Sequence, residues 1–398
     1  MSISIAIEVI NHLRKHGYVA YMVGGVIRDK LLGRPIGDID IASDARPEDT
    51  LRIFPKTIPV GIEHGTVIVR WKHESFEVTT FRKESDYADF RHPTEVHFHK
   101  SIEEDLSRRD FTINAMAMSS DGTIIDPLDG RSDIKRRQMR AVGDPLERFY
   151  EDPLRMMRAI RFVGVLGFSL EEKTRQALLK QAHLLKNVAV ERNRDEFEKL
   201  ITGEYCQSGL QLLIESSIHR FLPGKDYERL LPYVNREWNQ LIRIEERWAV
   251  IGFCLQVKQL KQWLRDWKLP TNKIKKIIRL SALIQSSDDL KSDWSLYEYG
   301  PFDLESVVRM EWFLNVDEPV EFTESELRSR YERLPIKRRS DLAVNGHDIQ
   351  QILGWKPGPW LGDLMAVIER NVVENRLENN RFVIKEWVQQ WGYRQEKS

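Results

Sequence analysis

Residues 20–43 read AYMVGGVIRDKLLGRPIGDIDIAS, and this order of residue types decides the fold of the first half of the chain. A β-like apolar run enters Gly24-Gly25, a helical segment carrying Arg28 follows, and a second apolar run starts at Asp38-Ile39-Asp40. A glycine pair between strand and helix lets the backbone approach a ligand, and the free amides of a helix N-terminus suit an anion. The spacing is neither GxGxxG nor a P-loop, so the dinucleotide and Walker readings both fail. On a strand, positions i and i+2 share a face, so Asp38 and Asp40 project side by side while Ile39 and Ile41 face the other way. Two like charges at the mouth of a core imply something positive between them. Their oxygens suit Mg²⁺, which takes few carboxylates and completes its shell with water and substrate phosphates. Alone, the pair reads as an acid-decorated strand end; beside a phosphate-gripping turn it reads as a nucleotidyl-transfer site.

The flanking sequence builds a domain around this stretch. The runs TVIVRW, FEVTTF, EVHFHK and GTIIDP alternate with turns to about residue 145, and IAIEVINHLRKHG is a helix with Gly17 as its C-cap. The expectation is an α/β head with a mixed sheet. From EDPLRMMRAIRF onward apolar residues recur at helical spacing almost to the end, so an all-α C-terminal half follows. Prolines at 223, 232, 270, 301 and 319 punctuate that half. The organisation expected is a catalytic head over 1–145, a helical neck over 146–215, a helical body over 216–310 and a helical tail over 311–398. Ten of the 11 tryptophans lie beyond residue 237, and they read as packing between short helices rather than as base-stacking platforms.

Bulk composition constrains the rest. At 398 residues the chain is multidomain, and with 61 Lys+Arg against 61 Asp+Glu any surface facing nucleic acid must be locally basic. Cys206 and Cys254 form no CxxC motif, which fits a reducing cytosol and argues against a disulfide framework or thiolate zinc site. No cationic segment precedes an apolar one at the start, and no run of roughly 18 apolar residues occurs, so a cytoplasmic protein without a membrane span is expected.

The segment EDPLRMMRAIRFV carries the base-reading chemistry. Asp152, Arg155, Arg158 and Arg161 are spaced by three and sweep one side of a helix; Met156, Met157, Ile160 and Val163 anchor the other. Acid and base at i, i+3 also pair with each other, so a salt-bridged amphipathic helix is the competing reading. Cytosine and adenine each present an amino donor beside a ring-nitrogen acceptor, whereas guanine and uracil reverse that order. A carboxylate only accepts and a guanidinium only donates, so Asp152 beside Arg155 would match C and A and mispair with G and U. Arg158 and Arg161, further along, offer guanidinium forks to a triphosphate.

GGVIRD followed by GDIDIA resembles the head of the DNA polymerase β-type nucleotidyltransferases. More narrowly, the chain resembles the class II tRNA nucleotidyltransferases (CCA-adding enzymes) and their bacterial poly(A) polymerase relatives. RRDFTINAMA (108–117), DPLDGRSDI (126–134), EDPLRMMRAIRF (151–162) and ERNRDEFEKL (191–200) match further family motifs in order and spacing. LAVNGHDI and KPGPW are similar to the body and tail of a Gram-positive-type member. The resemblance implies Mg²⁺ at Asp38 and Asp40, a nucleotide site at Gly25, Arg28, Arg109, Arg158 and Arg161, and base reading by Asp152 and Arg155. It implies tRNA, CTP and ATP as partners; homodimerisation is left open. Asp110 and Asn114 equally cap and start a helix, and Glu77 is a conceivable third carboxylate at the metal.

KESDYADFRHPTEV (83–96) lacks periodicity and reads as a mobile surface loop. In the family the corresponding loop helps the pocket change from CTP to ATP, so its presence implies complete CCA addition. IKRRQMR (134–140) and LPIKRRSDL (334–342) are candidate RNA-facing stripes. HFH (97–99) lacks further metal ligands and reads as structural; GHDI lacks the companions of an HD phosphohydrolase. The activity expected is addition of C, C and A to the tRNA 3′ end with release of pyrophosphate. The rival enzyme is a poly(A) polymerase, and the rival of another class is a non-catalytic RNA-binding protein on the same fold.

Overall fold

The computed structural model describes residues 2–60, 62, 65–87, 93–98, 101–286, 289–314, 323–356 and 358–395. The chain divides into two packing units, residues 1–235 with 262–269, and residues 236–261 with 270–398.

In the first unit, helix α1 (Ile3–Lys15) precedes β1 (Ala20–Val23), α2 (Gly25–Leu31) and β2 (Asp40–Ser43). Then come α3 (Pro47–Ile53), β3 (Thr57–Ile58), β4 (Thr66–Trp71), β5 (Glu74–Thr80), β6 (Arg82–Tyr87), β7 (Pro93–Phe98) and α4 (Ile102–Ser107). The head ends with β8 (Ala117–Met118), β9 (Ile124–Ile125), α5 (Gly130–Arg136) and β10 (Gln138–Met139). Seven strands form one mixed sheet in the order β3-β4-β5-β2-β1-β8-β9, in which only β2 and β5 are parallel neighbours. Ile39 and Ile41 are buried and Asp38 and Asp40 exposed, but Ala42 and Ser43 are buried as well, so the alternation is confined to the start of β2. Val23, Ala42, Phe81, Leu106, Ala117 and Val142 belong to one buried cluster. Gly17, at φ +91°, follows α1 as its C-cap reading requires.

Two expectations for the head need correction. Asp38 precedes β2 instead of lying within it. The stretch 83–96 is not an irregular loop: β6 and β7 pair antiparallel as a separate two-stranded ribbon, with Lys83 opposite His97 and Tyr87 opposite Pro93. Residues 95–98 of EVHFHK therefore belong to that ribbon and not to the main sheet. The EVHFHK run agrees with β7, whereas β6 falls in the stretch read as a loop, because backbone hydrogen bonding across a ribbon does not require the alternation of a half-buried strand. Residues 88–92 of that stretch, His99 of HFH and Lys100 lie outside the described residues.

Still within the first unit follow α6 (Pro145–Glu151), α7 (Leu154–Leu166), β11 (Ser169–Leu170), α8 (Glu172–Gln181), α9 (Val190–Ile201) and α10 (Cys206–Glu215), the elements of the expected neck. Helix α7 buries Met156, Met157, Ile160 and Val163, as its pattern demands, each contributing about 1.5–3 kcal/mol of transfer free energy. Its backbone approaches two neighbours closely at Gly164. A Cβ there would stand 2.5 Å from Leu200 of α9, and one at Gly209 of α10 would stand 3.0 Å from the Gly164 Cα. Arg34, in the turn before β2, donates to the Val165 carbonyl at 3.1 Å and so ties the acid-bearing turn to the neck.

The remaining helices are α11 (Ile244–Cys254), α12 (Leu260–Asp266), α13 (Thr271–Ile284), α14 (Asp293–Leu314), α15 (Glu324–Arg333), α16 (Gly346–Leu353), α17 (Trp360–Val373) and α18 (Arg381–Gln395). Helix α14 is two helices joined at a kink where Gly300 takes φ +76° before Pro301. Trp238, Trp248 and Trp267 are fully buried, in agreement with a packing role. Asn345 and Asp348 cap α16 reciprocally, which accounts for the GHDI sequence. No helix among the described residues is long and apolar enough to cross a membrane.

Candidate active site

Sheet register assembles the acidic half of the site. Val23 opposes Asp40 across the β1–β2 pair, and Asp40 opposes Glu77 across the parallel β2–β5 pair. The Gly24 turn, Asp40 and Glu77 thus share one row of the sheet. Asp40 keeps an exposed edge, but the protein atoms packed around its carboxyl desolvate it in part and push it above the usual carboxylate range. Glu77 adds to this, Arg109 opposes it and Asp38 adds a little more. An acid group held in excess of its local countercharge is a fitting place for a divalent cation. Among the described residues no three His, Cys, Asp or Glu side chains converge to hold a metal, so Glu77 does not complete a three-carboxylate cage. Two carboxylates with water and phosphate oxygens remain a fitting donor set for Mg²⁺.

The glycine pair serves a purpose the sequence did not announce. Gly24 adopts φ +77°, and a Cβ there would meet the Arg109 Nη1 at 3.0 Å. A Cβ on Gly25 would stand 3.3 Å from the Arg28 Nη2. The two glycines therefore admit two guanidiniums beside the strand-to-helix turn. Arg109 is held by the buried Asp105, which accepts from its Nη2 at 3.2 Å and from Arg108 at 2.7 Å. Arg28 is buried, donates to both Asp29 carboxylate oxygens at 2.9 Å, and donates to the Asn114 Oδ1 at 2.5 Å.

Arg28, Arg158 and Arg161 gather around the ring of Phe162, with guanidinium carbons 5.1, 5.6 and 3.9 Å from its centroid. Asp110 accepts from the Arg158 Nε and Nη2 at 2.8 and 2.5 Å, and Glu196 lies 2.9 Å from the Arg161 Nε. Burial drives the Arg161 guanidinium down to about 10 against the opposing pull of Glu196, with Arg158 adding to the fall. Burial alone would raise the Asp110 carboxyl. Arg158 and hydrogen bonds from Arg158, Asn114 and the Phe111 amide outweigh it and hold the group at about 2, against an ordinary 3.8. A depressed folded-state value contributes stability that is present above the ordinary value and lost as pH falls through the folded one. Asp110→Asn is therefore expected to lower stability at pH 7 by about 2 kcal/mol and to flatten the loss between about pH 4 and pH 2, measured by denaturant unfolding across pH. A short 3₁₀ turn spans Thr112–Asn114 in place of a longer helix start. DPLDGRSDI braces that turn: Asp126 caps α5, and Asp133 accepts from the Thr112 hydroxyl at 2.6 Å.

Asp152 is placed differently from the helical sweep drawn from sequence. It lies in extended conformation (φ −140°, ψ 99°) between α6 and α7, because Pro153 follows it and only Leu154 begins the helix. Its carboxylate accepts from the Leu154 amide at 3.1 Å and from Arg192 of α9 at 2.9 Å. Arg155 is on α7 but turns toward α6, donating to Glu151 Oε2 at 2.6 Å and to the Arg148 and Arg108 carbonyls at 3.1 and 3.3 Å. The i, i+3 pair between Asp152 and Arg155 is therefore not formed, and each is held by a separate partner. Arg192, Glu196, Glu151 and Asp105 were not singled out from the sequence. The i, i+4 spacing of Arg192 and Glu196 reads as an exposed helix face until packing is known.

The candidate RNA stripes are largely committed internally. Arg136 bonds Asp133 at 2.7 Å, Arg338 bonds Asp341 at 2.9 Å, and Arg339 pairs with Glu369. Both cysteines are buried, and burial pushes Cys254 up to about 12, which suits an inert thiol.

A mixed sheet carrying an acid pair beside a glycine turn, with a guanidinium cluster from the next helix layer, defines a nucleotidyltransferase. The chain is 43% identical over 387 residues to the CCA-adding enzyme of Bacillus cytotoxicus, covering 96% of this chain and 97% of that protein. It belongs to the CCA-adding enzyme family. The CCA-adding enzyme of Anoxybacillus flavithermus is 44% identical over 96% of both chains. The structure of the Bacillus stearothermophilus CCA-adding enzyme in complex with CTP superposes with a TM-score of 0.92 at 41% identity, covering 100% of both chains. Family models match in three segments. The "Poly A polymerase head domain" covers residues 20–140, the "Probable RNA and SrmB- binding site of polymerase A" residues 167–228, and "tRNA nucleotidyltransferase domain 2 putative" residues 239–388.

Proposed function

We propose that this chain adds C, C and A to the 3′ end of tRNA, consuming CTP and ATP and releasing pyrophosphate. The observation that carries the reading is kinship with CCA-adding enzymes over 96% of the chain, tail included. The head by itself would not separate this activity from poly(A) addition, because its family model is named for poly(A) polymerase.

Asp38 and Asp40 would hold Mg²⁺, whose chemistry there is to polarise phosphoryl oxygens and lower the pKa of the attacking hydroxyl. The chain's own groups do the remainder. Arg109, fixed by Asp105 over the Gly24 turn, brings positive charge to the acid pair. Arg28, Arg158 and Arg161, with Gly25 clearing space beside Arg28, offer oriented N–H groups to the triphosphate. A guanidinium has five N–H donors, so two bonds to Asp110 leave others on Arg158. Because Asp29, Asp110 and Glu196 hold these groups in place beforehand, little reorganisation is needed as charge develops on the phosphates. Asp152 and Arg155 present an acceptor and a donor to the base edge, which selects C and A without a nucleic-acid template.

The test supplies a tRNA lacking its 3′ CCA with each nucleotide singly and in mixtures. Growth that stops after three additions requiring CTP and ATP supports the reading. Long A tails from ATP alone would replace it with poly(A) polymerase activity.

A further inference from the structure

A carboxylate that distinguishes bases must hold one orientation, and Asp152 lies where the backbone alone would not impose it. It is outside any helix, its side chain is 18% exposed, and its own segment offers it one bond, from the Leu154 amide to Oδ1 at 3.1 Å. The second restraint comes from 40 residues downstream. Arg192 faces Asp152 with both terminal nitrogens, Nη2 to Oδ2 at 2.9 Å and Nη1 to Oδ1 at 3.4 Å. The contact is fork to fork, a geometry that fixes the carboxylate plane as well as its position. Arg192 is itself on a rigid platform. Helix α9 buries Phe197, Leu200 and Ile201, packs Leu200 against Gly164 of α7, and stacks Phe197 on Trp267 with centroids 4.8 Å apart. The same helix carries Glu196, the partner of Arg161. One helix thus restrains both the base-edge acceptor and a guanidinium of the triphosphate cluster.

We propose that Arg192 is a positioning residue for base selection, holding the Asp152 carboxylate in the orientation from which it accepts the amino group of cytosine or adenine. The inference rests on the base-reading role proposed above for Asp152. An ionised carboxylate has about four acceptor positions. The Leu154 amide and the two Arg192 contacts occupy three, so the fork leaves one acceptor position for the incoming base. Without the fork the side chain can rotate about χ1, and the acceptor that rejects guanine and uracil is no longer fixed against them.

The test compares wild type, Arg192→Ala, Arg192→Lys, Asp152→Ala and the Asp152→Ala/Arg192→Ala pair. Incorporation of C, A, U and G into a tRNA lacking its CCA end is measured with each nucleotide, separating kcat from KM. Arg192→Ala is expected to raise KM for CTP and ATP and to erode discrimination against UTP and GTP by about tenfold or more, the scale of one misplaced buried hydrogen bond. Lysine keeps the charge without the fork and should recover only part of the loss. In the Asp152→Ala background, removing Arg192 should change discrimination no further, because both act through one carboxylate. A purely structural role would lower folded population and kcat for all four nucleotides alike, leaving their ratios intact. Unchanged ratios in folded Arg192→Ala, or full recovery by lysine, overturn the proposal. If Arg192→Ala does not fold, Arg192→Lys decides: wild-type ratios and KM in it refute the need for the fork. Should Asp152→Ala itself preserve selection of C and A, the base-reading assignment has failed, and Arg192 falls with it.

Discussion

Alanine in place of Asp38 or Asp40 is expected to reduce nucleotide incorporation by about a thousandfold or more while leaving tRNA binding nearly intact. The magnitude follows from losing several kcal/mol of stabilisation at a phosphoryl centre, where about 4 kcal/mol corresponds to that factor in rate. The selectivity of the defect follows from the fold. Both acids are exposed at the surface end of β2, whereas the neighbours that hold the strand, Ile39, Ile41 and Ala42, are buried and untouched by the change. Stability should hold or rise slightly in Asp40→Ala, because the wild-type carboxyl is crowded and repelled by Glu77. Single-turnover incorporation, filter binding of tRNA and thermal unfolding together check the claim. Wild-type turnover in either variant would sink the metal assignment.

Asp152→Asn is expected to relax base choice by about 10- to 100-fold with a much smaller effect on the rate of correct addition. Asparagine keeps the shape but offers a donor as well as an acceptor, so guanine and uracil no longer meet two acceptors face to face. One mispaired buried group costs about 1–3 kcal/mol, which sets the range. Arg155→Ala is a less clean probe. Its guanidinium also satisfies Glu151 and the carbonyls of Arg148 and Arg108, so truncation is expected to destabilise the neck as well as the base edge. Competition between CTP and UTP on a tRNA lacking its CCA end reads the Asp152 effect directly. Unchanged preference for C and A would refute the amino-acid template.

Much of the head was legible because its signals are local. Alternation at Ile39 and Ile41, the glycine turn and the C-cap at Gly17 depend on neighbours within a few residues, and each was found where the pattern required it. The apolar anchors of α7 were legible for the same reason, although Arg155 of the expected polar side is buried with them. Strand β6 and its pairing with β7 were not, since the two strands pair with each other outside the main sheet and need not alternate. Asp152 was misplaced onto a helix because arithmetic spacing ignored Pro153, which disfavours helical backbone in the residue before it.

The sequence by itself determined the class of chemistry: two acids at i and i+2 beside a glycine turn, and an acceptor and a donor near the start of one helix, are statements about composition and order. Only the tertiary structure decided how those groups are held. Asp110 and Glu196 fix Arg158 and Arg161, and Arg192 fixes Asp152, through partners 35 to 48 residues apart. No periodicity encodes such pairings, because a charged residue on a helix face looks the same in sequence whether it meets water or a distant carboxylate. Packing at Gly164 and Phe197 brings α9 to α7, and that approach converts a solvated-looking helix into the support of the site.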